Sequence, residues 1–205
     1  MPIRRFLVAT ALVASLGAVG AAQTAPVATP ADMTLGNAKA KIQVIEYASV
    51  ACPHCAHFNE TVLTAFKAKW VDTGRARFTL KEMLTGSPTV AMAGFLIARC
   101  AGPTRYFKVV DEIYRSQPKW AEGKIKPILQ AIAADNGLDE PHFNACLQDQ
   151  AAAGAVNARS QRASEQDQVD STPTLFINGK LVKETPTTPA EMDAAIAAAL
   201  KRGAR

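Results

Sequence analysis

The 205-residue chain is poor in aromatic side chains, with two Trp and three Tyr, and it has only three His. No dense basic run carries interleaved aromatics, so a formal charge of +5 makes no case for nucleic-acid binding. Past the N-terminal stretch, no apolar run is long enough to cross a bilayer. One C-x-x-C is present, but no second one and no H-x3-5-H spacing, so a four-ligand zinc set is incomplete even if His54 or His57 joined Cys52 and Cys55. Internal repeats are absent, and low complexity is confined to residues 23–37. What is left is an ordinary globular composition, long enough for one domain with a sizeable core.

The N-terminus reads as an export signal. Arg4 and Arg5 precede an uncharged apolar stretch from Phe6 to Val19, and small residues follow to Ala21 and Ala22. This is a positive n-region, an h-region and an A-x-A-like cleavage site, so residues 1–22 are expected to leave as a signal peptide cut near Ala21 or Ala22. An uncleaved anchor is the alternative, although polar Gln23 and Thr24 follow at once. Loss of Arg4 and Arg5 would leave 21 basic against 18 acidic side chains, a net charge of +3. The expected location is therefore the periplasm, where disulfides persist and an even number of cysteines is at home.

Residues 23–37, rich in Ala, Pro and Thr, read as a flexible lead-in to a domain spanning 38–205. Lys41 to Tyr47 alternates as a strand, with Ile42, Val44 and Glu46 on one face. Pro53 opens a helix in which Phe58, Val62, Phe66 and Trp70 recur, and Gly74 stops it. Arg75 to Leu80 is a second strand. From about 86 to 168 the pattern is helical, with breaks at Gly102-Pro103 and Asn136-Gly137. Leu175–Ile177 and Lys180–Val182 flank Asn178-Gly179, a strong hairpin signal. The box Thr188-Pro189-Ala190-Glu191 then starts a last helix. The order strand, helix, strand, helical block, hairpin, helix predicts an α/β fold: a mixed central sheet flanked by helices, with a large all-helical insertion.

Cys52-Pro53-His54-Cys55 falls where the first strand gives way to a helix. Thiolate is the attacking species in disulfide chemistry, and a helix N-terminus offers it unpaired N–H groups and partial positive charge. Cys52 takes the N-cap, Pro53 the first helical position, and Cys55 lies one turn on. His54 can add positive charge or a hydrogen bond at the Cys52 sulfur. An inert disulfide is the bland alternative, but so short a loop is a poor staple. Cys100 and Cys146 sit near helix ends in the insertion. In an oxidising compartment they are expected to pair structurally, closing a loop worth ~3–4 kcal/mol. A second redox couple or two free thiols are the competing readings.

The run E-Y-A-S-V-A-C-P-H-C, the helical insertion and Thr172-Pro173-Thr174 before the hairpin resemble the DsbA family of thioredoxin-like periplasmic oxidases over roughly residues 37–203. The resemblance implies that Cys52 is an exposed attacking thiol and Cys55 its buried resolving partner. It makes Pro173 a cis-proline facing the motif, with Thr172 and Pro173 on the substrate-binding side. It also makes Glu46 a buried carboxyl that takes the Cys55 proton, with Lys81, Arg77 or Arg75 as a candidate basic partner. His57 and the aromatic residues Trp70, Trp120, Tyr106, Phe107 and Tyr114 read as packing. The implied partners are reduced or unfolded exported proteins and a DsbB-type, quinone-linked membrane reoxidant. The implied protein is a monomer with no metal, flavin or nucleotide cofactor. Thr172 also resembles the DsbC and DsbG isomerases, but a dimerisation domain like theirs does not fit before the first strand. A non-enzymatic chaperone using the Pro173 groove is a third reading.

Overall fold

The computed structural model describes residues 25–203; the expected signal peptide and its cleavage point lie outside the described residues. A five-stranded sheet runs in the order β1-β3-β2-β4-β5. Its strands are β1 (Met33–Gly36), β2 (Ile42–Ala48), β3 (Ala76–Glu82), β4 (Thr174–Ile177) and β5 (Lys180–Leu181). Only β2 and β3 pair in parallel, as a strand–helix–strand crossover requires. The other pairs are antiparallel.

One expectation is corrected here. Residues 33–36 are not part of a flexible lead-in but an edge strand, Met33 standing opposite Leu80 and Gly36 opposite Arg77. Four residues beside an Ala/Pro/Thr-rich segment carry too little alternation to be read alone; the open edge of β3 supplies the order.

The helix after β2 runs as α1 (Pro53–Phe58), a π turn (Asn59–Leu63), α2 (Thr64–Phe66) and a second π turn (Lys67–Val71). The two wide turns answer a sequence peculiarity. Phe58, Val62, Phe66 and Trp70 are spaced by four residues each time, whereas an α-helix turns every 3.6. Inserting i→i+5 turns slows the winding and keeps all four toward the core.

The insertion comprises α3 (Pro88–Cys100), α4 (Tyr106–Ser116), a 3₁₀ turn (Gln117–Glu122), α5 (Ile125–Asp135), α6 (Glu140–Gln148) and α7 (Gln150–Glu165). Helix α3 approaches the loop before the cysteine motif so closely that a Cβ on Gly94 would stand 2.6 Å from the Val50 side chain. A buried carboxylate fastens the insertion to the sheet: Glu82, at the end of β3, accepts from Arg99 Nε of α3 (2.6 Å), Tyr106 Oη of α4 (2.8 Å) and Arg159 Nε of α7 (2.7 Å). A disulfide joins Cys100 at the end of α3 to Cys146 in α6.

Both faces of β2 are buried. Ile42, Val44 and Ala48 join the main core with α1 to α4, while Ile45 and Tyr47 pack with Met83, Ala163 and Val169 on the other side. The last helix, α8 (Pro189–Gly203), starts with a shifted box: Thr188 Oγ1 accepts from Glu191 N, but the Glu191 carboxylate reaches back to Thr187 N (2.7 Å), not Thr188.

Candidate active site

Strand β2 delivers its last residues to the N-terminus of α1, and Cys52 caps it with extended backbone (φ −94°, ψ 120°) while Pro53 takes the first helical position. The turn that makes this approach is held by Ser49. Its carbonyl accepts from Cys52 N (3.0 Å), and its hydroxyl accepts from Ala51 N (3.2 Å). From the insertion, Gln117 Nε2 donates to the carbonyls of Val50 (2.8 Å) and Cys52 (3.3 Å). The motif is therefore gripped from two sides.

Both motif cysteines are free thiols. Cys55 is fully buried, and Cys52 is only 6% exposed, less open than the attacking thiol expected from sequence. Their acidities are driven apart. The Cys52 thiol falls from 9.0 to about 5, chiefly because Cys55 donates a hydrogen bond to its sulfur, with further donation from the Thr172 hydroxyl and from the backbone N–H groups of Cys55 and His54. These outweigh burial, which acts the other way. Cys55 is pushed far up by burial, by its bond to Cys52 and by the nearby Glu46. His54 thus acts through its main chain; its imidazole is exposed, and the donor facing Cys52 is the peptide N–H.

Glu46 lies 2% exposed on the core face of β2, opposite Leu80 and Leu175 on the flanking strands. Burial, then the charge of Cys52, raise its carboxyl from 4.5 to about 8. None of the three candidate basic partners pairs with it. Lys81 goes instead to Asp32 (3.4 Å) and Asp167 (3.9 Å), Arg77 reaches Thr34 (3.4 Å), and Arg75 lies over the Trp70 ring (4.4 Å). Strand alternation explains Lys81: Glu46 stands with Val44 on the core face, while the side that Lys81 occupies is that of Tyr47, whose ring lies 5.7 Å away. At neutral pH the Glu46 carboxyl is therefore mostly protonated.

The peptide bond Thr172–Pro173 is cis and lies across from the motif. The Cys52 thiol donates to the Thr172 carbonyl at 3.4 Å, and the Thr172 hydroxyl meets that of Thr85 at 2.6 Å. A cleft of about 620 Å³ borders the motif on the Pro53 side, lined by His57, Glu60, Tyr114 and Gln117 among others. A second, of about 490 Å³, lies on the Pro173 side with Asp167, Phe176 and Leu181. His57 is exposed at the first cleft. Among the described residues, no group of three or more His, Cys, Asp or Glu side chains could hold a metal ion.

Ser49, Thr85 and Gln117 have no role in the sequence reading, and Tyr114 enters it only as packing. The Tyr114 hydroxyl is buried without a hydrogen-bond partner, and Cys55 and Glu46 are the ionisable groups that act on it most strongly. None of the four has a local signature, since each matters only through a contact made by folding.

The arrangement can run thiol–disulfide exchange, and comparison with known proteins agrees with that chemistry. A family model described as thioredoxin matches residues 28–198. A Rickettsia conorii protein whose name assigns it to the protein-disulfide oxidoreductases is 31% identical over 150 residues, covering 72% of this chain and 53% of the relative. The chain thus spans about half the length of the curated relatives it first matches. Disulfide bond formation protein D of Bacillus subtilis is 20% identical, over 73% of this chain and 68% of its own. Among solved structures, Wolbachia pipientis alpha-DsbA1 superposes with a TM-score of 0.76 at 24% identity, covering 86% of this chain and 94% of that one. Oxidised BdbD from Bacillus subtilis also gives 0.76, at 18% identity over 87% and 97%. The thioredoxin model spans most of the chain and the fold is the one these solved structures share, so the chain belongs to the thioredoxin family.

Proposed function

We propose that this protein introduces disulfide bonds into exported proteins through the Cys52–Cys55 couple. The observation that carries the reading is the opposite displacement of two neighbouring thiols, Cys52 down to about 5 and Cys55 far up. In the oxidised form a substrate thiolate attacks the Cys52 sulfur. The Cys52–Cys55 bond breaks, and Cys55 leaves with the electron pair. So basic a thiolate must be protonated at once, and the Glu46 carboxyl, neutral below about pH 8, is the proton donor. A second substrate thiolate then attacks the substrate sulfur of the mixed disulfide. Cys52 departs as a stable thiolate, the substrate keeps the disulfide, Glu46 regains a proton from water, and the enzyme is left reduced with Cys55 as the thiol.

Lowering Cys52 from 9.0 to about 5 favours its charged form by about 5 kcal/mol, before solvent screening reduces the figure. At pH 7 a thiol of 9.0 would still be protonated, so the reduced state gains only about half of that, about 3 kcal/mol, and the disulfide becomes more oxidising by something on the order of 60 mV. A DsbB-type quinone-linked membrane protein fits the need for a reoxidant, and the Cys100–Cys146 bridge suits a protein that works outside the reducing cytoplasm. An isomerase or reductase direction would use the same pair; Thr172 at the cis bond is the feature that favours it.

The test is trapping. Cys55→Ala should accumulate mixed disulfides with exported proteins, and Cys52→Ala should trap almost none. Equal trapping by both would remove Cys52 as the nucleophile. A glutathione equilibrium that leaves the couple mostly oxidised under periplasmic poise would turn the reading toward reductase or isomerase.

A further inference from the structure

The hydroxyls of Thr85 and Thr172 lie 2.6 Å apart in a part-buried contact between segments 87 residues apart in sequence. Each hydroxyl has one proton to give and lone pairs to receive. An ionised Cys52 sulfur has only lone pairs. If the Thr172 proton points at that sulfur, its oxygen is free to accept, and the Thr85 proton must point at Thr172. The reverse orientation would turn Thr172 lone pairs toward a thiolate, which repels them.

We infer that Thr85 is a positioning residue for the attacking thiol: its hydroxyl donates to Thr172 and so turns the Thr172 O–H toward the Cys52 sulfur. This rests on the reading of Thr172 as a donor to Cys52 and goes beyond it. The loop that carries Thr85 is fixed to the motif it serves. The Thr85 carbonyl accepts from Ser49 Oγ at 2.8 Å, and the Ser49 hydroxyl oxygen in turn accepts from Ala51 N. The next residue, Gly86, has φ +74°, and a Cβ there would stand 2.5 Å from the Ala51 carbonyl oxygen, so the loop lies directly on the backbone before Cys52. Leu84 N donates to Ser160 Oγ of α7 at 3.0 Å, which holds the loop from the other side.

Thr172 acts on Cys52 in two opposed ways. Its carbonyl, 3.4 Å from the sulfur, accepts only from the protonated thiol and so favours that form. Its hydroxyl favours the thiolate. Thr85 touches the hydroxyl alone and therefore strengthens one arm of the pair. The ionisable groups around Cys52 are Cys55 on α1, Glu46 on β2 and Tyr114 on α4; none lies on the Thr85 loop. A change at Thr85 therefore removes no charge from the site.

The experiment uses the full chain with Thr85→Val, Thr85→Ser, Thr172→Val and the Thr85→Val/Thr172→Val pair. Cys52 thiolate titration and the equilibrium with glutathione are read for each, with urea midpoints to confirm folding. Thr85→Val should raise the Cys52 titration midpoint by roughly half a unit, a change of about threefold in the glutathione equilibrium toward the oxidised enzyme. Thr85→Ser, which keeps the hydroxyl, should match the parent. In the Thr172→Val background, Thr85→Val should have no further effect. If Thr172→Val moves the titration and Thr85→Val does not, the inference falls while the reading of Thr172 stands. If Thr85→Val acts equally with or without the Thr172 hydroxyl, its role is structural and the inference also falls. If Thr172→Val itself changes nothing, the reading on which the inference rests fails with it.

Discussion

Replacing Glu46 by Gln should shift stability steadily in the variant's favour as pH rises. The carboxyl sits 2% exposed, and burial raises it from 4.5 to about 8, so folding takes up a proton wherever the unfolded chain is ionised and the folded one is not. For a raised group the stability is full below the unfolded value and is lost as pH rises through the folded one. The loss therefore starts near pH 4.5 and levels off above about 8. Each pH unit in that window costs about 1.4 kcal/mol, so at pH 7 the native state gives up about 3 kcal/mol to keep Glu46. Glutamine carries no such penalty. Its buried amide imposes a cost of about 1–3 kcal/mol if unpaired, but that offset does not vary with pH. The slope is thus the diagnostic. Urea unfolding of the oxidised protein is the assay, because neither Cys52 nor Cys55 then titrates and burial, the leading cause, persists. The difference in stability between Glu46→Gln and the parent should widen steadily from pH 4.5 to pH 8. A flat difference across that window would show that Glu46 is ionised in the folded protein and refute the proton-donor role.

The reduced protein should show the opposite trend at Cys52, whose folded value of about 5 lies below its ordinary 9.0. Stability from this thiolate is complete above pH 9 and is lost as pH falls toward 5, so the gap between the dithiol protein and its Cys52→Ser variant should shrink on acidification. A constant gap, or a thiolate absorbance midpoint near 9, would sink the assignment. Replacing both Cys100 and Cys146 by Ser opens a bridge with a sequence separation of 46, and the chain-entropy model puts the loss at about 4 kcal/mol. Thermal unfolding should register that loss while Cys52 titration stays put; a shifted titration would make the bridge a modulator of the active pair instead.

The sequence by itself determined whatever is written over a few neighbouring residues. The C-P-H-C motif announces a helix N-terminus because Cys52 and Pro53 suit the cap and first positions whatever surrounds them. Asn178-Gly179 announces the hairpin, and the spacing of Tyr106, Val110, Ile113 and Tyr114 announces a buried helix face, for the same local reason. The alternation in β2 puts Glu46 on one face with Ile42 and Val44, but its burial follows from the fold, which covers both faces of the strand. Only the tertiary structure decided which groups meet. Thr172 reaches Cys52 across 120 residues, Thr85 reaches Thr172 across 87, and Gln117 reaches the Val50 carbonyl across 67. Which cation serves which carboxylate was equally nonlocal. Lys81 was a candidate for Glu46 by sequence, yet strand alternation turns it to Asp32 and Asp167, while Glu82 at the next position faces the insertion and gathers Arg99, Arg159 and Tyr106. Strand β1 stayed hidden for a related reason: its four residues carry almost no pattern of their own, and the backbone hydrogen bonds that order them belong to β3.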